Sequence, residues 1–278
     1  MVDFVDYISL AYLLVLTPIY VYFTVRLGWK IYYKKSPDLR NEFYPIIFFK
    51  GCVDNITNIV QLCTGRILKF NILESFFLSH DFPAYILYFT TATTYCLMYQ
   101  INFLIAFNRY VAMLKPTRYK EIFEFKRLHL YMALMFIPSM SSAIPSVCFK
   151  LGYIWYPSLN RVLHMYFQSG IEYYNAIFGI VFNIPVILIT SWMNLKCFLK
   201  NKKILSKKNL YNSMDSKLFL YNVIAFLTMW GFDFYYIGRY LPYILGELKV
   251  LEQIAITIIP WLLDIMTFGL WIFSMVLS

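Results

Sequence analysis

Seven apolar runs, each about as long as a bilayer-spanning helix, are separated in this sequence by short segments that hold most of its charge. A helix needs about 20 apolar residues to cross the hydrocarbon core. Runs near 5–27, 43–63, 83–110, 128–149, 171–197, 217–238 and 254–276 reach that length. The expected fold is therefore an all-α membrane protein, a seven-transmembrane helix bundle forming one domain over residues 1–278. Composition supports the choice: 60% of residues are hydrophobic and only 14% are charged, too few to coat a soluble surface. Asp3 and Asp6 make the N-terminus acidic, with no basic stretch and no small-residue cleavage site. The first run thus reads as a retained helix rather than a signal peptide.

Orientation follows from the basic residues. The net charge of +10 is spread between apolar runs rather than gathered on one folded face, which argues against a nucleic-acid partner. The first, third and fifth connections carry eighteen Lys and Arg residues, and the alternate connections carry six. Basic loops stay on the cytoplasmic side of a membrane. The expected topology therefore has the N-terminus outside and the C-terminus in the cytoplasm. Lys200 to Lys208 give the third inner connection a charge suited to an acidic partner surface or to anionic lipid.

The third run ends in Asn108-Arg109-Tyr110. Stepping back from Arg109 by sevens reaches Asn102, Tyr95 and Tyr88, with Thr91 and Tyr99 filling the same face. Seven residues make nearly two helical turns, so these side chains form one polar-aromatic stripe. Such a stripe is costly against lipid, which makes this run the expected central helix with its stripe turned toward partner helices. Arg109 then lies at the cytoplasmic mouth.

Other polar groups fall inside the runs. Lys50, Asp54 and Asn58 lie in the second and Asp264 in the seventh. A charge at mid-bilayer needs a partner or an exit. Lys50 and Asp54 are one turn apart and can pair, or Lys50 can snorkel to the inner headgroups. Asp54 and Asp264 are expected at comparable depth. Two readings stand: a shared polar site holding water or a cation that repacks on switching, or a static plug orienting two helices. The aromatic stretch from Trp230 to Tyr243 reads either as a membrane belt or as a ligand vestibule. In the second case Tyr88, Thr91 and Tyr95 face Asp233 and Tyr236 across a candidate ligand pocket.

Hydrolytic chemistry finds no support. His80, His129 and His164 have no spacing that puts two on one helical face, and no GxSxG or phosphate-binding glycine loop is present. No enzyme activity, catalytic residue, metal site or cofactor is expected. Five cysteines form no metal pattern, although Cys63 and Cys148 fall near the outer surface and are open to pairing. A transporter or other non-signalling membrane protein is the alternative, with Lys50, Asp54 and Asp264 lining a substrate path. The runs show no related halves to favour it.

Asn108-Arg109-Tyr110, with Pro116 seven residues after the Arg, resembles the Asp/Glu-Arg-Tyr motif of rhodopsin-like G-protein-coupled receptors, Asn replacing the acid. The longer string from Leu104 through Tyr110 to Pro116, Tyr119, Lys120, Glu121 and Ile122 is similar to nematode serpentine chemoreceptors, and within them to the class gamma (Srg) group and its relatives. Phe43-Tyr44, Asn55, Arg66 and Asp264 add to the likeness. The resemblance implies a plasma-membrane chemosensory receptor, multi-pass and sited in sensory neurons. Its implied partners are a small-molecule or peptide ligand, a heterotrimeric G protein and the lipid bilayer. Asn108, Arg109, Tyr110, Pro116 and Tyr119 would form the coupling switch. Several features depart from rhodopsin-like receptors: no Cys tops the third run, Cys-Trp-x-Pro and Asn-Pro-x-x-Tyr are missing, and no eighth helix is expected before Ser278. Because Asn108 cannot form an ion pair, any resting lock is expected to be hydrogen-bonded, and Asn108→Asp is expected to lower ligand-free signalling.

Overall fold

The computed structural model describes residues 4–36, 39, 42–156, 161–168 and 170–208, then 224, 227–231, 234, 258, 261–269 and 271–272. Most of the sixth expected run, and the outer aromatic stretch with Asp233 and Tyr236, lie outside the described residues. Within them, helix α1 (Phe4–Gly28) continues through a π turn to Tyr33, and α2 (Tyr44–Gln61) continues through π and 3-10 turns to Phe70. A short helix α3 (Glu74–Ser79) precedes α4 (Phe82–Leu114), and α5 (Pro116–Ile122) follows after one residue. Three short helices come next: α6 (Phe125–Leu134), α7 (Phe136–Ser142) and α8 (Ile144–Cys148). After a hairpin, α9 (Ile171–Phe178) joins α10 (Ile184–Lys208) through a π turn. Three stretches among the described residues are long and apolar enough to cross a membrane: Asp6–Tyr33, Tyr44–Phe70 and Tyr173–Lys200.

Two breaks have a local cause. The fourth expected run divides at Met135 and at Ala143, shortly before Pro138 and within two residues of Pro145. A proline removes an amide donor and its ring presses on the carbonyl four residues earlier, so the helix must bend there. Helix α4 has no internal proline after Pro83, which fits the first turn. Its 33 residues span about 50 Å, well beyond a hydrocarbon core of about 30 Å.

Helix α4 is the centre of the bundle, packed against α2, α7 and α10. Every residue from Thr93 to Asn102 is buried, so neighbours cover the whole circumference there rather than one stripe. Tyr99, Met98, Ile101, Leu104 and Ile105 are among the most deeply buried side chains. They join Ile46 and Val53 of α2, Leu128 and Met132 of α6, and Ile187 of α10 in one apolar core. Helix α1 packs on α2 at the side.

The chain is not all-α. Strands β1 (Leu151–Tyr156) and β2 (Arg161–Tyr166) pair antiparallel, with Leu151 opposite Tyr166 and Tyr156 opposite Arg161. The sequence between Leu151 and Tyr166 is rich in aromatic and branched residues around Pro157-Ser158-Leu159-Asn160, a pattern that suits a hairpin. The hairpin lies against α3 and α4 and carries a second small core of Leu151, Tyr153 and Val162 with Leu68, Phe77 and Ala84. Gly152 permits the close approach, because a Cβ there would meet Asp81 Oδ1 at 2.5 Å. Cys63 and Cys148 are both free thiols.

Candidate functional site

The polar residues of the interior separate into two clusters. In the first, Lys50 Nζ lies 2.5 Å from Asp54 Oδ2 and donates to the Met266 carbonyl at 3.0 Å. Tyr20 of α1 donates to the same carboxylate oxygen at 2.7 Å. Lys50 is 3% exposed and Asp54 0%, so the lysine does not snorkel to the headgroups. The ammonium instead turns along α2 to the acid one turn on, where three acceptors and donors compensate its burial. Next to this pair Asn55 donates to Thr24 at 2.9 Å. The Asn58 amide nitrogen and Asp54 Oδ1 are buried and make no hydrogen bond among the described residues.

In the second cluster Asp264 is held by Arg66, not by the Lys50 group. Arg66 grips the carboxylate with two nitrogens, at 2.5 and 3.1 Å, and gives a further bond to Ser9 at 2.7 Å. The Tyr12 hydroxyl also donates to Asp264. Two planar donors meeting two carboxylate oxygens make the strong, oriented form of an ion pair. Tyr12 and Tyr20 sit eight residues apart on α1, about 12 Å along its axis, yet each holds one of the two acids. Asp54 and Asp264 are thus at different depths and belong to different sites. Nearer the outer end, Lys69 pairs with Asp6 at 2.6 Å.

The three pocket residues on α4 do not converge. Tyr88 donates to the His164 carbonyl at 3.3 Å, and the His164 ring nitrogen lies 3.0 Å from the same hydroxyl. The hairpin therefore sits on Tyr88. Thr91 accepts from Gln61 of α2 at 2.9 Å, and Tyr95 belongs to the main core. Tyr153 of the hairpin donates to the Thr64 carbonyl at 3.3 Å. Burial raises its phenol well above the ordinary range, with the nearby Tyr88 adding to the shift, so it remains a neutral donor. Sequence reasoning named Tyr88 without its cover, because only the alternation across β1 and β2 signalled a lid.

At the opposite end of α4 the switch residues do meet. Asn108 and Arg109 are buried, at 4% and 5% exposure. The Asn108 side-chain nitrogen lies 3.1 Å from the Tyr119 hydroxyl on α5, which Pro116 opens as first residue. The charge of Arg109 lies beside the Cys197 thiol of α10, and the Tyr110 ring packs on Trp192 with centroids 5.4 Å apart. Lys200 donates to the Met113 carbonyl, so a lysine of α10 caps the last turn of α4, where cations are favoured. Burial pushes the Tyr119 phenol above its ordinary value; the Asn108 bond opposes that and Glu42 reinforces it. Glu42 also hydrogen-bonds the Tyr119 side chain. Neither Glu42 nor Arg66 is assigned a role by sequence reasoning, since their partners are set by how the helices pack.

A buried helix surrounded by others, with ion pairs inside and a basic switch at one end, defines a helical membrane protein of receptor type. The family model described as serpentine type 7TM GPCR chemoreceptor Srv matches residues 10–277. The chain belongs to this serpentine seven-transmembrane chemoreceptor family. The match is to Srv rather than to the class gamma (Srg) group, so the serpentine assignment holds and the class is corrected. No curated protein matches the chain.

Proposed function

We propose that this chain is a chemosensory receptor of the plasma membrane that binds a chemical cue through its outer half and activates a heterotrimeric G protein at its inner end. The observation that carries the reading is the inner end of α4, where Asn108, Arg109 and Tyr110 contact both α5 and α10. A helix terminus that ties two further elements can pass a rearrangement of the bundle to the cytoplasmic surface. The topology proposed has the N-terminus outside and the C-terminus inside, consistent with the basic connections. The ligand pocket proposed is formed by Tyr88, Thr91 and Tyr95 with Asp233 and Tyr236, beneath the hairpin. A ligand drives the switch only by binding one arrangement better than another. Lys50, Asp54 and Asn58 form the proposed intramembrane polar site, with Asp264 contributing from a separate level. A transporter draws little support, because the charges that would line its path are engaged with each other.

The test is a ligand screen in cells co-expressing a G protein, with Arg109→Ala as the control. A cue that stimulates nucleotide exchange through the unchanged chain and not through the variant supports the reading. Substrate flux in proteoliposomes, with no exchange for any cue, contradicts it.

A further inference from the structure

The Tyr119 hydroxyl is where three elements meet at the inner end: Asn108 on α4, Tyr119 on α5, and Glu42 just before α2. The distances order the bonds. The Asn108 nitrogen is 3.1 Å from the hydroxyl oxygen, while the reverse bond, from the hydroxyl to Asn108 Oδ1, spans 3.4 Å. A phenol has one proton to give. With the amide donating to its oxygen, that proton is left for the Glu42 carboxylate, which can only accept. The chain of bonds then runs from amide to phenol to carboxylate. Its last link ends on a charged acceptor, the stronger kind of hydrogen bond. Glu42 also sits at the start of α2, where the helix dipole favours negative charge.

We propose that Glu42 supplies the acid that the Asn-Arg-Tyr ending lacks, clamping α5 to α4 through Tyr119 and restraining the ligand-free switch. The clamp stands on the geometry alone; its effect on signalling rests on the receptor reading above. It also reverses one expectation. A carboxylate at position 108 competes with Glu42 for a single proton, and two like charges facing one phenol repel. Asn108→Asp therefore raises ligand-free output rather than lowering it.

The experiment uses the full chain in lipid nanodiscs. Hydrogen exchange is followed over residues 117–122 in the unchanged protein, E42Q, Y119F and the double variant. Nucleotide exchange on an added heterotrimeric G protein is measured without ligand on the same samples. E42Q is expected to speed exchange over 117–122 roughly tenfold, the size set by losing one hydrogen bond to a charged group. Protection in the rest of α4 stays unchanged, which shows that the fold is intact. The double variant exchanges no faster than Y119F, because Glu42 acts through that hydroxyl. Glu42→Asp, which keeps the charge, stays near the unchanged protein. E42Q behaving like the unchanged protein, or additive effects in the double variant, overturns the proposal. If E42Q loosens α5 while neither it nor Arg109→Ala alters nucleotide exchange, the clamp stands and the receptor reading fails.

Discussion

Lys50 and Asp54 show what a charge inside a bundle requires. Each is costly alone in a low-dielectric interior, and each is tolerated because the other is within hydrogen-bonding distance. Removing one partner strands the other. Lys50→Met and Asp54→Asn are each expected to destabilise the purified protein by about 3–5 kcal/mol, read from thermal unfolding in detergent. The double variant Lys50→Met/Asp54→Leu should recover most of that loss, because no charge is left to compensate. Single variants as stable as the parent would show that the pair is not buried as described. The pairing was legible in the sequence because it spans one turn of one helix. Asp264 was not, since its partner Arg66 is 198 residues distant and meets it only when α2 and the last helix pack side by side.

Among the elements, the hairpin is the clearest departure from expectation. Hydropathy reads the long apolar runs well, and α1, α2, α4 and the α9–α10 pair lie over four of them. The same reading passes over twelve strand residues in a connection, because a short alternation is faint beside runs of about 20 apolar residues. Gly152 gives a direct handle on how the hairpin docks. A larger side chain there meets Asp81 Oδ1 and the Phe167 ring, at 2.5 and 2.7 Å from its Cβ. Gly152→Val is expected to cost about 1–3 kcal/mol and to lift the hairpin from α4. Hydrogen exchange should then quicken over β1 and β2 and leave α6 and α7 unchanged; an undisturbed hairpin would contradict the packing. The fourth run shows the opposite limit. Its prolines were visible, but whether they kink or break a helix depends on neighbours that the sequence does not show.

At the scale of the whole molecule, one long helix organises the rest. Helix α4 has the hairpin on Tyr88 at one end and α5 on Asn108 at the other, about 30 Å apart along a single rigid element. That arrangement allows an event under the hairpin to be felt at the switch only if the two ends face opposite sides of the membrane. The asymmetry of the basic residues says that they do, and belonging to a seven-transmembrane family agrees with an odd number of crossings. The most direct measurement places one epitope in the turn at residues 157–160 and another just after Lys208, and stains cells before and after permeabilisation. The account predicts that the first epitope is reached on intact cells and the second only once the membrane is opened. Finding both on the same side would contradict it.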